Sequence, residues 1–231
     1  MMLKKYIKGF IFVALQVLIL GGCSGYVIVE DIRGSKLEKA NREETKDSIL
    51  IIDSRQEQLY NRGHIPNAIN IPVAALQERV DELEKWKDKD VYVYAENNDE
   101  SFKACKILVS NGHKNIFNAD GIEQYKYKNT VRHTFVTGHT FTELAKKTDS
   151  VIIDCRSVNS YNAGHISGAI SIPIAEIETR LPTLPKDKKI LLYCANGTNS
   201  SKAGELLSKY AFMEIYCSIE GTSEYKFDLV E

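Results

Sequence analysis

The sequence predicts an α/β protein made of one unit used twice, each unit a parallel sheet with helices on both faces. Three observations predict it. Ile51-Ile52-Asp53-Ser54-Arg55 returns as Ile152-Ile153-Asp154-Cys155-Arg156, and Tyr60 to Pro72 returns as Tyr161 to Pro173, both at an offset of 101. The short apolar segments of each copy are rich in Ile and Val and do not alternate with polar residues, which marks strands covered on both sides. Charged amphipathic stretches separate them, as βαβ units require. A period this long is too great for a solenoid repeat, so each copy is expected to be a whole domain.

The chain of 231 residues begins with a segment of another kind. Lys4, Lys5 and Lys8 precede an apolar run, Phe10 to Leu20, broken only by Gln16, and Leu20-Gly21-Gly22-Cys23 closes it. Roughly a dozen apolar residues are too few for a ~30 Å bilayer core and suit a signal-peptide core. The Leu-Gly-Gly-Cys ending resembles the lipobox of bacterial lipoproteins. That resemblance implies a leader over 1–22, a lipid on Cys23 as the new N-terminus, and an exported, membrane-anchored protein of the cell envelope. Loss of three lysines with the leader takes the formal charge from −1 to −4. That balance offers no footprint for nucleic acid. The first copy is then expected over 23–128 and the second over 129–231, with the polar stretch around Lys126 to His133 as linker.

Within each copy the elements follow one order. Ser35-Lys36-Leu37-Glu38 and Thr140-Phe141-Thr142-Glu143 have capping-box spacing and predict helix starts. Apolar strands follow at Ser48–Asp53 and Ser150–Asp154, then a Gly-His-Ile segment and a strand-like Ala-Ile-x-Ile-Pro. Amphipathic helices are expected near Ala74–Trp86 and Ile174–Leu181. The strands Val91–Tyr94 and Ile190–Tyr193 lead into a polar loop and a helix. Each copy ends on an acidic-Gly-x-x-x-Tyr turn, Asp120 to Tyr125 and Glu220 to Tyr225.

Ligands of open α/β sheets sit at the carboxyl ends of strands, where loops meet helix N-termini. Cys194 holds that position, followed by Ala195-Asn196-Gly197-Thr198-Asn199-Ser200-Ser201. Asn196 and Gly197 tolerate unusual backbone angles, and Ser200 or Ser201 is suited to cap the helix. Backbone N–H groups and the helix dipole favour an anion there, and would lower the pKa of a cysteine and make it nucleophilic. On the local sequence alone, a nucleophile and the last buried residue of a strand are equally open readings of Cys194. The remaining cysteines beyond Cys23 are Cys105, Cys155 and Cys217. None shows a C-x-x-C or zinc-like Cys/His spacing, so no metal is expected.

The Asp-x-Arg, Tyr-x-x-Gly-His-Ile and Ala-Ile-x-Ile-Pro elements of both copies, with Tyr193-Cys194 followed by Gly197, Ser200 and Ala203, resemble the rhodanese family. The resemblance covers nearly the whole body after the leader, making the chain two tandem rhodanese-like domains. It implies a sulfurtransferase without a cofactor. A small sulfur donor, thiosulfate or a polysulfide, gives its sulfane sulfur to Cys194 as a persulfide, the loop Ala195 to Ser200 binds the donor, and a thiol acceptor or cyanide takes the sulfur. Ala95 stands where the first copy would need the cysteine, and Glu96, Asp99 and Glu100 make its loop anionic, so that copy is implied to be inactive. The chain departs from the family where arginines are usual, at Ala195 and Asn199. The resemblance therefore predicts weak use of thiosulfate, or another donor.

Two other readings stay beside this one: a non-catalytic interaction module, and a redox sensor pairing Cys194 with Cys155. Phosphoryl transfer is disfavoured, because the loop has no arginine. Asp53, Arg55, Asp154, Arg156, His64 and His165 occur in both copies and point to fold maintenance. Cys105 and Cys217 read as core positions in a helix and a strand.

Overall fold

The computed structural model describes residues 15–18, 27–43, 48–147, 149–212 and 214–231. Strands β1 Leu15–Leu18 and β2 Val27–Ile32 precede helix α1 Gly34–Glu43 and strand β3 Ile49–Asp53. Then come α2 Glu57–Tyr60, β4 Ala68–Asn70, α3 Val73–Arg79, β5 Asp90–Tyr94, α4 Asn98–Ser110 and β6 Asn115–Ala119. The second copy repeats the pattern with β7 Thr134–Val136, α5 Gly138–Ala145, β8 Ser150–Asp154, α6 Val158–Asn162, β9 His165–Ile166 and β10 Ile170–Ser171. It finishes with α7 Ile177–Arg180, β11 Lys189–Tyr193, α8 Thr198–Ser208, β12 Ile215–Ser218 and β13 Leu229–Val230.

Each copy lays its strands in the same order, β2-β6-β5-β3-β4 and β7-β12-β11-β8-β10, all parallel. The two sheets do not stand apart. β4 pairs with β7 through Ile69 and Phe135, so one sheet of 11 strands runs through the described chain. The same repeat position then has two environments. Ile69, covered by the neighbouring copy, is 1% exposed, whereas Ile170 on the open edge strand β10 is 39% exposed.

The core follows the layers. On one face a single apolar cluster runs through both copies, joining Leu76, Leu83, Trp86 and Leu108 to Ile177, Ala203 and Leu207. On the other face each copy keeps its own cluster, around Leu37 in the first and Phe141 in the second. β3 is buried along its full length, as a strand sandwiched between helix layers must be. Tyr60 fastens the junction: its hydroxyl donates to the Ala68 carbonyl at 2.8 Å and accepts the Phe135 N–H at 3.0 Å. Lys85 pairs with Glu220 at 3.0 Å, and Glu82 accepts from Thr137 and Thr140 across the same junction.

Several local expectations need correction. The amphipathic segment after β4 is α3 followed by a tight 3-10 stretch, Val80–Trp86, and its counterpart is mostly 3-10, with α7 only four residues long. α5 starts a turn before Thr140: Thr137 is its cap, accepting from the Thr140 N–H at 3.1 Å. The acidic turns explain these starts. Asp120 accepts from the Gly34 N–H at 3.0 Å and Glu220 from the Gly138 N–H at 2.7 Å, so each copy's last turn caps its first helix. In the expected linker, 126–133, Val131 bridges His64. β1, antiparallel to β2, lies inside the expected 1–22 leader, whereas Cys23 lies outside the described residues. Among the described residues, no helix is long and apolar enough to cross a membrane.

Candidate active site

β11 is buried from Ile190 to Tyr193, and Cys194 comes directly after it. The chain then turns through Gly197, whose φ of 77° is left-handed and whose Cβ, if it had one, would lie 2.5 Å from the Ile219 carbonyl oxygen. Glycine is required on both counts. Gly197 is also the N-cap of α8, which corrects the expectation that Ser200 or Ser201 caps the helix. Ser200 instead sits inside the first turn, buried. Its hydroxyl donates to the Gly197 carbonyl at 2.9 Å and lies 3.6 Å from the Cys194 sulfur. The thiol is therefore at the helix N-terminus, where the first N–H groups have no intrahelical acceptor and the dipole favours negative charge.

Around the thiol, Ala195, Asn196 and Thr198 are exposed, Asn199 is half-buried, and Gly197 and Ser200 are buried. Asn196 folds back to accept the Thr198 N–H at 3.3 Å. Cys194 itself is only 2% exposed. The loop lies over it, held by a clamp that sequence reasoning missed. Thr222 donates its N–H to the Cys194 carbonyl at 3.0 Å, and Ser223 donates both its N–H and its hydroxyl to the Ala195 carbonyl at 3.0 and 2.6 Å. Gly221 makes the approach possible, since a Cβ there would fall 1.9 Å from the Ala195 carbonyl carbon. The signal was available: the acidic-Gly-x-x-x-Tyr turn closes both copies, and in the first copy Ile122 and Glu123 likewise donate N–H groups to the carbonyls of Ala95 and Glu96.

Two further thiols share the apolar cluster beneath this loop. Cys155 donates its N–H to the Tyr193 carbonyl at 2.8 Å, and the Cys217 sulfur lies 3.3 Å from the Ser200 carbonyl oxygen. Burial pushes both thiols well above the ordinary cysteine range, with the neighbouring Cys194 adding to the effect. They remain protonated at neutral pH and are poor nucleophiles. Cys105 in α4 is buried and raised in the same way.

The paired motifs form a frame. Asp154 accepts from Arg156 at 3.0 and 2.6 Å, and Arg156 also donates to the Gly164 carbonyl at 2.6 Å. Asp53 and Arg55 do the same with Gly63. Each histidine stacks on the tyrosine four residues earlier, with ring centroids 3.6 Å apart for Tyr60 and His64 and 3.8 Å apart for Tyr161 and His165. Burial holds His64 neutral, with a pKa of about 3. These residues brace the loops of each copy.

In the first copy Ala95 is buried at the equivalent position. Asn97 caps α4 there by accepting the Glu100 N–H at 3.1 Å. Among the described residues, no group of three or more His, Cys, Asp or Glu side chains is placed to hold a metal.

A family model, the rhodanese-like domain, matches residues 36–127 and again 137–228. A tRNA uridine(34) hydroxylase of Hamiltonella defensa is 30% identical over 113 residues, 46% of this chain and 32% of that one. The chain thus spans about a third of that relative's length. Thiosulfate sulfurtransferase GlpE of Coxiella burnetii is 34% identical over 84 residues, 36% of this chain and 78% of the relative. Among solved structures, a thiosulfate sulfurtransferase from Pseudomonas aeruginosa aligns with 87% of this chain and 43% of its own at 17% identity, with a TM-score of 0.38.

Proposed function

We propose that this chain, which belongs to the rhodanese-like domain family, is an envelope-anchored sulfurtransferase that carries sulfane sulfur on Cys194. The observation that carries the reading is the pairing of Cys194, at the strand-to-helix turn of the second copy, with Ala95 at the same place in the first. One domain has a nucleophile and the other has none. The similarity to a thiosulfate sulfurtransferase supports the reaction class.

The Cys194 thiolate attacks the outer sulfur of thiosulfate. A sulfur–sulfur bond forms to Cys194, the bond to the sulfonate sulfur breaks with its electron pair, and sulfite leaves. Cyanide or an acceptor thiolate then takes the outer sulfur and returns the thiolate, so no external reductant is needed. With a polysulfide donor, the leaving group is the shortened polysulfide chain. The first N–H groups of α8, with the dipole behind them, stabilise charge on the attacking and transferred sulfur atoms. No loop arginine grips the donor, which disfavours thiosulfate relative to a polysulfide. A charge-assisted hydrogen bond is worth about 1.5–3 kcal/mol.

On this reading a lipid on Cys23 would anchor the enzyme to a membrane, and cleavage before Cys23 would remove β1 and leave β2 as a sheet edge. The test incubates the protein with thiosulfate and, separately, with a polysulfide, then measures intact mass. A gain of one sulfur atom that Cys194→Ala abolishes supports the reading. No such gain from either donor overturns it in favour of an interaction module. Palmitate labelling that survives Cys23→Ala would overturn the anchor.

A further inference from the structure

The two copies differ at the guanidinium that frames each loop. Arg55 and Arg156 spend Nε and Nη2 in the same way, on Asp53 and the Gly63 carbonyl in the first copy and on Asp154 and the Gly164 carbonyl in the second. Arg156 makes one bond that has no counterpart. Its Nη1 donates to the Thr222 hydroxyl at 3.3 Å. The residue at that place in the first copy is Ile122, whose side chain offers no acceptor.

Thr222 is also the residue that holds Cys194, through the N–H it donates to the Cys194 carbonyl at 3.0 Å. That backbone half of the clamp is common to both copies, since the Ile122 N–H donates to the Ala95 carbonyl at 3.1 Å. The backbone bond therefore belongs to the fold. The side-chain bond is present in the copy that has the cysteine and absent in the copy that has alanine.

The extra bond closes a ring. Asp154, the last residue of β8, stands in register with Tyr193, the last residue of β11, directly before Cys194. From Asp154 the bonds run to Arg156, then to the Thr222 hydroxyl, and from the Thr222 N–H back to Cys194. The turn over the loop is thus tied to the sheet through a charged donor, the stronger kind of hydrogen bond, as well as through its backbone. We propose that Thr222 is a positioning residue for Cys194, its hydroxyl coupling the Arg156 guanidinium to the loop and fixing the sulfur over the N-terminus of α8. The role in turnover rests on the sulfurtransferase reading of Cys194.

The test compares Thr222→Val, which keeps the shape and removes the acceptor, with Thr222→Ser, which keeps the acceptor, in the full chain in detergent. Sulfur transfer from a polysulfide to cyanide and alkylation of Cys194 by iodoacetamide, located by peptide mass, are measured beside thermal unfolding. Thr222→Val should lose about tenfold in kcat with KM within about twofold, the signature of a contact that acts at the reacting atom and not on donor binding. Its Tm should stay within about 2 °C of the parent, because the first copy folds around isoleucine at this place. Cys194 is only 2% exposed and is alkylated when the loop lifts, so alkylation should quicken severalfold. Thr222→Ser should bring both rates to within about twofold of the parent. Parent kinetics in Thr222→Val, or a Thr222→Ser protein as slow as Thr222→Val, overturn the assignment. If the parent itself forms no persulfide, the sulfurtransferase reading fails and alkylation alone decides the role of Thr222: equal rates in the parent and Thr222→Val overturn it.

Discussion

Replacing Gly221 by alanine separates the Cys194 loop from the scaffold that carries it. The added Cβ would fall 1.9 Å from the Ala195 carbonyl carbon, 2.0 Å from its oxygen and 2.1 Å from the Asn196 nitrogen. Ordinary van der Waals contact for a Cβ begins near 3.4 Å, so loop and turn must separate by about 1.5 Å. The colliding atoms are backbone, so no side chain can swing aside. Overpacking of this kind costs about 1–3 kcal/mol, roughly 4–8 °C in Tm for about 2 kcal/mol in a chain of this size. The effect on chemistry should be larger, because the moved atoms adjoin Cys194 and a misplacement of about 1 Å can cost on the order of 100-fold in rate. Gly121→Ala is the matched control. Its Cβ would meet the Glu96 oxygen at 2.3 Å and Asn97 Cα at 2.4 Å, the same collision in the copy that holds Ala95. Persulfide formation, sulfur transfer to cyanide and thermal unfolding should be measured on both variants at a temperature where each is folded. Gly221→Ala should lose about 100-fold in kcat/KM, while Gly121→Ala should be destabilised to a similar degree and stay within about twofold of the parent rate. Equal rates in the two variants would refute the claim that the Gly221 clamp positions Cys194.

Asn199 is half-buried in the first turn of α8, and Asn199→Arg should raise kcat/KM for thiosulfate by about tenfold or more while changing polysulfide turnover less. Steady-state assays with both donors check it. Removing one partner of a buried ion pair leaves the other uncompensated, at about 3–5 kcal/mol. Denaturant unfolding should therefore show comparable losses for Asp53→Asn and Asp154→Asn, whose arginine partners keep side-chain exposures of only 4% and 9%. His133 is buried, its Nε2 has no partner, and desolvation lowers its pKa from 6.5 to about 4. Below pH 6.5 the unfolded chain takes up a proton that the folded chain refuses, so stability falls as the pH drops toward 4. At about 1.36 kcal/mol per pH unit, the loss from this group between neutral pH and pH 5 is about 2 kcal/mol. Chemical denaturation across that range should show this loss, and His133→Gln should reduce the slope by His133's share while leaving the like share of His64, whose pKa is about 3.

The repeat made much of this molecule readable from its residues. Two copies at one offset identified the domain unit, the Ile- and Val-rich runs identified a parallel sheet, and the alignment set Ala95 against Cys194. These are signals of local periodicity and of position along the chain. The tertiary structure decided which surfaces cover which. Ile69 and Ile170 stand at the same place in the same motif, yet one is sealed by β7 and the other faces solvent. Thr137 rather than Thr140 caps α5, because the Glu220 carboxylate, 82 residues away, takes the N–H of Gly138. Cys194 ends a strand in the sequence, but in the fold it lies beneath a loop pinned by Thr222 and Ser223. Residue patterns encode the conformation each segment prefers. Burial and clamping arise where distant segments meet, so the position of Cys194 in the repeat belonged to the sequence and its enclosure to the fold.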